Sequence, residues 1–515
     1  MVSIVKTAAV IGLESFEVSV EVDLNLGVPA FLVVGLPDLA VNEAKERVRS
    51  AIKNSGYAFP TKKIIVNLAP ADIKKAGSAY DLPIAIGILA ADEIIDKEKL
   101  IDYAFLGELS LDGAIKPVNS VLPTIVGLKK LGIKNVIVPE DNKYEAALIP
   151  DINVYSAKIL NDVVNHFAND ETYAPLELVK VDINQLLGEV KEEDIVFDFK
   201  DVKGQVKAKK ALEIAAAGGH NILMVGPPGS GKTLLSKCFA SILPPLQLEE
   251  ALEITEIYSI SGLLTKDMPL VNKRPFRVVH HSASGVGIIG GGQIPKPGEI
   301  TLAHRGVLYL DEIVEFPRSV LEVLRQPLED GEIYISRAKN AVKYPADFIL
   351  LASMNPCPCG HLGDAQKECV CNEFQIQRYR ARLSGPLLDR IDMQIEVPRL
   401  SSEELVNMAP AAESSSDIRK RVIAARKIQA ERYKNCGIFT NSELSPKLVK
   451  QFCQIDETSK DMLKMAITKF GLSGRAYDRI LKLARTIADL DASEQIQSKH
   501  IAQCLQYRTI IDNKN

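Results

Sequence analysis

The sequence predicts an α/β chain of three parts: an α+β region, a core built on a parallel sheet, and an all-helical end. Three observations support this prediction. Strands with alternating apolar residues mix with helical stretches up to residue 167. Short apolar runs of strand length, typical of strands buried on both faces, follow between residues 221 and 353. From residue 401 onward only helical periodicity remains.

The domain boundaries follow the same changes in pattern. A chain of 515 residues is too long for one hydrophobic core and should form about three domains. An acidic, poorly periodic stretch that includes residues 191–194 is interpreted as a linker. The predicted parts are an α+β domain at 1–167, the linker at 168–200, the core at 201–400 and a helical domain at 401–515.

Individual elements are predicted from the period of their apolar residues. In the α+β domain, residues 18–22 and 63–67 alternate as strands do, and residues 41–53 have helical spacing. In the helical domain, three segments show helical periodicity without any strand pattern between them. These segments are 418–433, 457–470 and 476–488.

Composition excludes a strongly basic protein. The chain has 62 Lys and Arg against 66 Asp and Glu, a net charge of −4. Any contact with DNA must therefore come from a local patch or from a pore assembled by several subunits. The longest apolar run, residues 82–91, is too short to span a bilayer, and the acidic Glu14 and Glu17 do not fit a signal peptide. We expect a cytoplasmic protein without a membrane partner.

The most specific motif is an eight-residue glycine-rich loop at 226–233, between a buried strand at 221–225 and a predicted helix. In such a loop, glycines turn the backbone so that N–H groups point at phosphate oxygens. Lys232 reaches the terminal phosphates, and the hydroxyl of Thr233 can ligate Mg²⁺. The residues predicted to bind nucleotide here are Gly226, Pro227, Pro228, Gly229, Ser230, Gly231, Lys232 and Thr233.

Two further strands end in polar residues. The strand at 306–310 is followed by Asp311 and Glu312, and the strand at 347–353 is followed by Asn355. Ligands gather at the carboxyl edge of a parallel sheet. Asp311 is therefore predicted to orient Mg²⁺, and Glu312 to polarise the water that attacks the γ-phosphate. The alternative interpretation of Asp311 and Glu312 is a solvated acidic loop. Asn355 would bind the γ-phosphate or the attacking water, and its alternative interpretation is an ordinary turn residue before Pro356.

An arginine lies at the end of a short apolar helix in the segment 385–392. Arg390 can stabilise charge that develops in the transition state at the ATP of a neighbouring subunit. Taken alone, the position favours a surface salt bridge over this role.

Four of the eight cysteines form two close pairs. Thiolates at this spacing select Zn²⁺ in a tetrahedral site, with His361 as an alternative ligand and free or redox-active thiols as the alternative interpretation. Disulfides are not expected in a reducing compartment. The predicted metal ligands are Cys357, Cys359, Cys369 and Cys371.

Longer pieces of the chain point to a family. On these pieces the chain resembles the YifB/ComM group of magnesium-chelatase-like AAA+ ATPases, with Val279 where that family usually has proline. The resemblance implies a P-loop AAA+ core with a parallel sheet, an all-helical lid, ATP and Mg²⁺ as cofactors, and a homo-oligomeric ring, taken as a hexamer. The pieces lie at 276–277, 280–284, 290–292, 297–300, 302–304, 324–329, 354–360 and 472–479.

The same resemblance assigns roles to three residues. It implies that Asn355 is the sensor residue and that Arg390 is an arginine finger acting in trans. It also implies that Arg475 is a second sensor on the helical lid.

The N-terminal part resembles the protease domain of Lon, an α+β fold of the ribosomal S5 domain 2 type, most clearly at 75–83 and 107–113. In this alignment Ala79 replaces the nucleophilic serine of Lon, and Leu122 replaces its catalytic lysine. Without that Ser/Lys dyad the domain is predicted to be catalytically inactive. Ser78, one residue away, is the alternative nucleophile.

Two loops are candidates for contact with a substrate in the ring. The glycine-rich segment 282–300 resembles the insertion that such ATPases direct toward the central channel. The segment 332–344 is predicted to form a hairpin with residues 339 and 340 at its tip. Projected inward by several subunits, their basic residues would grip phosphates, unless the loops only seal subunit contacts. These residues are Lys296, Arg337, Lys339 and Lys343.

Two functions follow from the resemblance. In the first, the chain is a DNA motor that drives branch migration in recombination during natural transformation, with branched or single-stranded DNA as its partner. In the second, it remodels a partner protein, as chelatase subunits do. The first is favoured because nothing after residue 401 resembles the integrin-like metal-binding domain of a chelatase partner.

Overall fold

The computed structural model describes residues 2–168, 173–188, 196–292, 295–337, 340–364, 366–400, 413–470 and 473–507. The acidic run at 191–194 and Lys339 lie outside the described residues. The described residues form two compact units. The first unit holds those up to residue 188 together with 247–272 and 295–296, and the second unit holds the others.

The strands and helices are numbered in chain order. The strands are β1 (Val2–Ile11), β2 (Glu14–Asn25), β3 (Ala30–Val34), β4 (Lys63–Ala69), β5 (Tyr103–Phe105), β6 (Glu108–Leu109), β7 (Ile115–Lys116), β8 (Asn135–Pro139), β9 (Asn153–Ala157), β10 (Ile222–Val225), β11 (Phe276–Val279), β12 (Gly290–Gly291), β13 (Lys296–Pro297), β14 (Val307–Leu310), β15 (Glu332–Arg337), β16 (Asn340–Pro345), β17 (Ile349–Met354) and β18 (Met393–Glu396). The helices are α1 (Leu39–Asn54), α2 (Asp81–Ala91), α3 (Val121–Lys130), α4 (Lys143–Ala146), α5 (Leu160–Phe167), α6 (Ile183–Leu187), α7 (Val206–Gly218), α8 (Lys232–Phe239), α9 (Leu248–Ser261), α10 (Gly285–Ile289), α11 (Glu299–Leu302), α12 (Arg318–Val323), α13 (Pro327–Asp330), α14 (Glu373–Arg380), α15 (Gly385–Leu388), α16 (Ser415–Tyr433), α17 (Pro446–Phe452), α18 (Glu457–Phe470), α19 (Gly474–Leu490) and α20 (Ser498–Leu505).

The first unit is built on a seven-stranded mixed sheet in the order β3-β4-β2-β1-β5-β8-β9. Strands β1 and β2 pair antiparallel across a two-residue turn, in which Gly12 has a φ of 65° and Ile11 lies opposite Glu14. Alternate residues of β2 point into the core, as the period-two pattern predicts. The buried residues of β2 are Val18, Val20, Val22 and Leu24.

The longest apolar run of the sequence forms α2, whose eleven residues are all buried. The helix lies so close to the sheet that a Cβ on Gly87 would be 2.7 Å from Cγ2 of Val22. The run is therefore apolar on all sides because it is a central core helix. Among the described helices, none is both long and apolar enough to cross a membrane.

Helix α9 belongs to the first unit, although the sequence places it inside the predicted core. Its buried residues face α3, and Oγ of Ser259 donates a hydrogen bond to Oε1 of Glu145 at 2.5 Å. The same oxygen accepts from the backbone N of Leu122 at 3.0 Å, and Asn142 donates to the other oxygen at 3.1 Å. Burial raises the pKa of Glu145, and these three donors oppose that shift.

The second unit is built on a five-stranded parallel sheet in the order β11-β14-β17-β10-β18. Every residue of β10, β14 and β17 is buried, which explains why these strands are apolar throughout. The segment predicted as a hairpin forms one, with β15 and β16 paired antiparallel. The mixed α/β fold class with a parallel sheet and a helical C-terminal region is confirmed.

In the helical end, α16 to α20, a buried carboxylate of α19 joins this helix to α16. Asp489 is 2% exposed and accepts hydrogen bonds from Arg432 at 2.9 Å, from Asn441 at 2.9 Å and from Arg485 at 3.1 Å. The end is attached to the sheet layer through His220, whose Nε2 lies 2.7 Å from Oγ1 of Thr486. A buried charge paired and hydrogen-bonded in this way is costly to leave without its partners.

Candidate nucleotide site and cysteine cluster

The glycine-rich loop joins the end of β10 to the start of α8. Gly229 and Gly231 have φ values of 77° and 92°, in the region that favours glycine. Gly226 must also be glycine, because a Cβ there would lie 2.1 Å from the carbonyl oxygen of Val397. The loop therefore has the tight backbone that a phosphate cradle requires.

Lys232 is 9% exposed and turns back onto its own loop. Its Nζ donates to the carbonyl oxygens of Gly226 at 2.6 Å and Pro227 at 2.9 Å. Burial lowers the pKa of Lys232 to about 8, while Asp311 and Glu312 act in the opposite direction. The ammonium is thus poorly solvated and has two acidic neighbours, so an anionic phosphate would be a strong additional partner.

Asp311 follows β14 and is fixed by three hydroxyl groups. The hydroxyl of Tyr309 donates to its Oδ1 at 2.9 Å, Ser353 donates to the same oxygen, and Thr233 donates to Oδ2 at 3.4 Å. Burial raises the pKa of Tyr309 to about 12, so this hydroxyl stays a donor at neutral pH. The pair of Thr233 and Asp311 offers the oxygen ligands that Mg²⁺ prefers.

Glu312 has a different environment from its neighbour. Its φ of 52° is unusual for a residue with a side chain, and its backbone N donates to Oγ of Ser353 at 3.2 Å. The side chain is 48% exposed, with Oε2 at 3.9 Å from Nδ1 of His281. A strained backbone that presents an accessible carboxylate suits a residue that orients water.

Asn355 follows β17 directly and completes the carboxyl edge of the sheet. Its Oδ1 lies 3.5 Å from Nζ of Lys232, and its backbone lies near the side chain of Tyr379 on α14. The structure therefore brings Lys232, Thr233, Asp311 and Asn355 together at one edge.

Arg390 and Arg475 lie together around a different carboxylate. Arg390 is 6% exposed, donates to the carbonyl oxygen of Pro386 at 2.7 Å and bonds to Glu329. Arg475 lies 2.9 Å from the other oxygen of Glu329. Burial lowers the pKa of Arg390, and the neighbouring positive charge of Arg475 adds to the effect. Among the described residues, these contacts do not connect either arginine to the glycine-rich loop.

The four paired cysteines form one cluster, with all four sulfurs within 4.8 Å of one another. The Sγ of Cys357 is 3.4 Å from that of Cys359 and 3.6 Å from that of Cys369. A tetrahedron of four sulfurs at the usual Zn–S distance has edges of about 3.8 Å, so the cluster fits zinc. The backbone N of Cys359 donates to Sγ of Cys371 at 3.4 Å. All eight cysteines are free thiols.

His361 lies beside the cluster and contacts a carboxylate. Its Nδ1 is 3.2 Å from Oδ2 of Asp364. Because four sulfurs already complete a tetrahedral set, a metal at this place does not need the imidazole.

The Lon-like positions in the first unit show other contacts. Leu122 is buried at the start of α3, and Lys75 is fully buried with its Nζ directed to the carbonyl oxygen of Pro70. Ser78 donates to Glu108. The described contacts of Ser78 and Lys75 do not join them to each other, so these two residues do not form a Ser/Lys dyad.

The sequence did not reveal four residues that shape the nucleotide site. Tyr309 and Ser353 fix Asp311, as described above. The side chain of Gln205 donates to the carbonyl oxygen of Ser230 at 3.3 Å, and Arg399 donates to that of Pro228 at 2.8 Å. Tyr309 could have been found, because residues two apart on a strand point to the same face.

Three family models match the chain. They describe the magnesium chelatase subunit ChlI at residues 198–405, subunit ChlI of Mg-chelatase at 20–142 and the ChlI C-terminal region at 412–508. Together they cover most of the chain, including the glycine-rich loop and the cysteine cluster.

The relatives confirm the resemblance seen in the sequence. The chain is 44% identical to competence protein ComM of Haemophilus influenzae, over 99% of this chain and 98% of the relative. It is 42% identical to YifB of Salmonella typhimurium, over 99% and 97%. It is 24% identical to the magnesium-chelatase 38 kDa subunit of Rhodobacter capsulatus, over 45% and 69%. The chain belongs to the ComM/YifB family of magnesium-chelatase-like AAA+ ATPases.

Proposed function

We propose that this chain forms a ring of identical subunits, taken as a hexamer, that hydrolyses ATP to drive branch migration of DNA in the cytoplasm. The observation that carries the ATPase part is the buried Lys232 at one sheet edge with Thr233, Asp311 and Asn355. Full-length similarity to a protein named for competence supports the link to recombination during natural transformation.

In this proposal each residue of the edge has one task. The N–H groups of the loop and Lys232 hold the β- and γ-phosphates, and Thr233 and Asp311 hold Mg²⁺. Mg²⁺, when bound, neutralises phosphate charge. Glu312 orients the attacking water with its accessible carboxylate, and Asn355 positions the γ-phosphate.

Arg390 and Arg475 are proposed to contact nucleotide in the assembled ring, although the described contacts of the single chain connect neither arginine to the glycine-rich loop. In the single chain both are bound to Glu329, and Nε of Arg390 is buried without a hydrogen-bond partner among the described residues. An arginine that already lacks a full set of partners gains from an additional anion. We assign Arg390 to a neighbour's ATP in the ring and Arg475 to the nucleotide of its own chain.

DNA contact is proposed to come from the two loops with basic residues. Lys296 is exposed, and Lys343 is 54% exposed although its Nζ lies 2.6 Å from Glu332. The net charge of −4 makes such local patches necessary. Lys343 would have to exchange its carboxylate partner for a phosphate.

The test is binding to a four-way DNA junction over a range of salt concentrations. Each lysine that binds a phosphate contributes about one to the steepness of log K against log salt. Lys296→Glu should therefore weaken binding and flatten the slope, whereas Lys97→Glu, the same charge change at another exposed lysine, should leave both nearly unchanged. Equal effects of the two variants would contradict a local DNA-binding patch.

The second candidate function is ATP-driven remodelling of a partner protein. It is favoured by the similarity to a magnesium-chelatase subunit. The same experiment separates the two functions, because a remodelling ATPase should not bind the junction even at low salt and should hydrolyse ATP equally with and without DNA.

We also propose one structural zinc ion per chain at the cysteine cluster. The four sulfurs fit the ion in number, element and spacing. Purified protein should contain about one zinc per chain by mass spectrometry of metals, and the double change of Cys357 and Cys371 to Ser should remove it. Stoichiometric disulfides in place of metal would contradict the assignment.

A further inference from the structure

The segment 357–371, here called the cysteine knuckle, begins two residues after Asn355. Asn355 is one of the candidate nucleotide-site residues, and its Oδ1 lies 3.5 Å from Nζ of Lys232. The knuckle is followed by α14, whose Tyr379 lies near the backbone of Asn355. Both ends of the knuckle therefore lead to the same site residue.

The knuckle also touches the glycine-rich loop directly. Gly360 has a φ of 82°, and a Cβ there would lie 2.8 Å from Cδ of Pro228. The backbone of Gly360 is thus packed against the proline ring, and its N donates to the carbonyl oxygen of Cys357 at 3.0 Å. Gly360 therefore connects Cys357 of the cluster to Pro228 of the glycine-rich loop.

Arg399 makes a second connection between the knuckle and the loop. Its guanidinium donates to the carbonyl oxygen of Pro228 at 2.8 Å and to Oε1 of Gln366 at 3.1 Å. It also lies 3.6 Å from Oδ2 of Asp364, the carboxylate that contacts His361. Two polar side chains of the knuckle therefore orient an arginine that binds the loop.

The knuckle is joined by hydrogen bonds and by the ion pair with Arg399, but its described residues contain no helix or strand. Its Val370 is 84% exposed. A short segment without regular structure or an apolar core depends on a cross-link for its conformation. A metal ion bound by the four clustered sulfurs would supply this cross-link.

From these contacts we propose that metal bound at the four cysteines holds the glycine-rich loop and Asn355 in the conformation that binds nucleotide. The cysteine cluster is then a positioning element of the ATP site, through Gly360 and Arg399. This inference rests on the proposed nucleotide site and zinc site.

The first test removes the metal from the full-length protein. Protein treated with a chelator, freed of it and resupplied with Mg²⁺ should bind a fluorescent ATP analogue more weakly, on the order of tenfold, and should recover when Zn²⁺ is added. If metal is removed and affinity is unchanged, the inference fails while the zinc site stands. If no metal is present at the start, the proposed zinc site itself fails.

The second test uses two glycines of the knuckle as a matched pair. Gly360 and Gly363 have similar φ values, 82° and 77°, but a Cβ on Gly363 would meet nothing within 4 Å. Gly360→Ala should keep its zinc and lose nucleotide affinity, on the order of tenfold, because the new methyl group displaces Pro228. Gly363→Ala introduces similar backbone strain and should keep both its zinc and its nucleotide affinity.

Three outcomes of the second test overturn the inference: wild-type affinity in Gly360→Ala, equal losses in both variants, or loss of zinc from Gly360→Ala with affinity retained. Lys232→Ala, measured beside them, reports on the nucleotide site alone. If Lys232→Ala binds the analogue normally, the proposed nucleotide site fails and not only its support by the cysteine knuckle.

Discussion

Lys232 and Lys75 are both buried lysines whose ammonium groups bond to backbone carbonyls, and burial lowers the pKa of both. Their surroundings differ. Lys232 has two acidic neighbours at the end of a parallel strand, whereas Lys75 has Asp72 as its opposing charge. A buried lysine is a candidate for a reaction site when other charged and polar groups converge on it, as they do at Lys232.

The hydroxyl groups near Lys232 and near Lys75 also differ in the partners they contact. At the nucleotide site, hydroxyls of Thr233, Tyr309 and Ser353 all point at one carboxylate, Asp311. In the Lon-like region, Ser78 donates to Glu108, and Ala79 stands at the position of the nucleophile. The first region therefore brings together the groups that the predicted nucleotide site requires, and the described contacts of the second region do not.

The largest predicted effect is the difference in ATP binding and turnover between a variant without Lys232 and a variant without Lys75. Lys232→Ala should abolish ATP binding and turnover, because the ammonium is the main side-chain charge facing the β- and γ-phosphates. Lys75→Met, which keeps the buried volume, should hydrolyse ATP at the wild-type rate. Titration with a fluorescent ATP analogue and a phosphate-release assay measure both. Normal turnover in Lys232→Ala would overturn the site assignment.

The next largest effect concerns completion of the site by a neighbouring subunit. Arg390→Ala should bind ATP through its intact Lys232 but hydrolyse it about 10³- to 10⁵-fold more slowly, since an arginine finger meets charge that develops only in the transition state.

Mixing Arg390→Ala with Lys232→Ala chains should restore part of the activity. Mixed rings contain interfaces where an intact Lys232 meets an intact Arg390. Rings that assemble but stay inactive at every mixing ratio would contradict a role in trans.

A smaller effect is expected at Glu312. Glu312→Gln should retain ATP affinity and lose about 10²- to 10⁴-fold in turnover, because its accessible carboxylate orients water and does not hold the nucleotide. Equilibrium binding and single-turnover hydrolysis, measured on the same preparation, separate the two effects. If ATP affinity and turnover fell together, Glu312 would instead stabilise the structure of the carboxyl edge of the sheet.

The smallest predicted effect is a pH dependence of nucleotide affinity. The pKa of Lys232 is about 8 in the free protein, and phosphate favours the charged form, so binding takes up a proton above that pH. The Kd for ATP should rise about tenfold between pH 7 and pH 9. Lys232→Arg, if it binds ATP, should show a flat profile because its charge does not titrate in this range. A flat profile for the wild type would contradict the lowered pKa.

The sequence predicted the elements that depend on local pattern. The glycine-rich loop, its flanking strand and helix, and the acidic end of β14 are short contiguous segments with specific residue types. The parallel sheet and the helical end follow from periodicity, and the fold class is confirmed. The roles of the individual site residues remain predictions.

Contacts between distant segments could not be predicted in this way. Ser353 reaches Asp311 because β17 pairs with β14 in a register that only the folded sheet fixes. Arg399 is 171 residues from its partner Pro228. Helix α9 joins the first unit through its contact with α3 and the hydrogen bond from Ser259 to Glu145, a residue 114 positions away.

The most direct test of the central claim is migration of a fluorescently labelled four-way DNA junction, recorded together with ATP turnover in one reaction. Wild type and Lys75→Met should move the junction only with ATP and hydrolyse ATP faster in its presence, and Lys232→Ala should do neither. ATP hydrolysis that ignores the junction and leaves it unmoved would contradict the account.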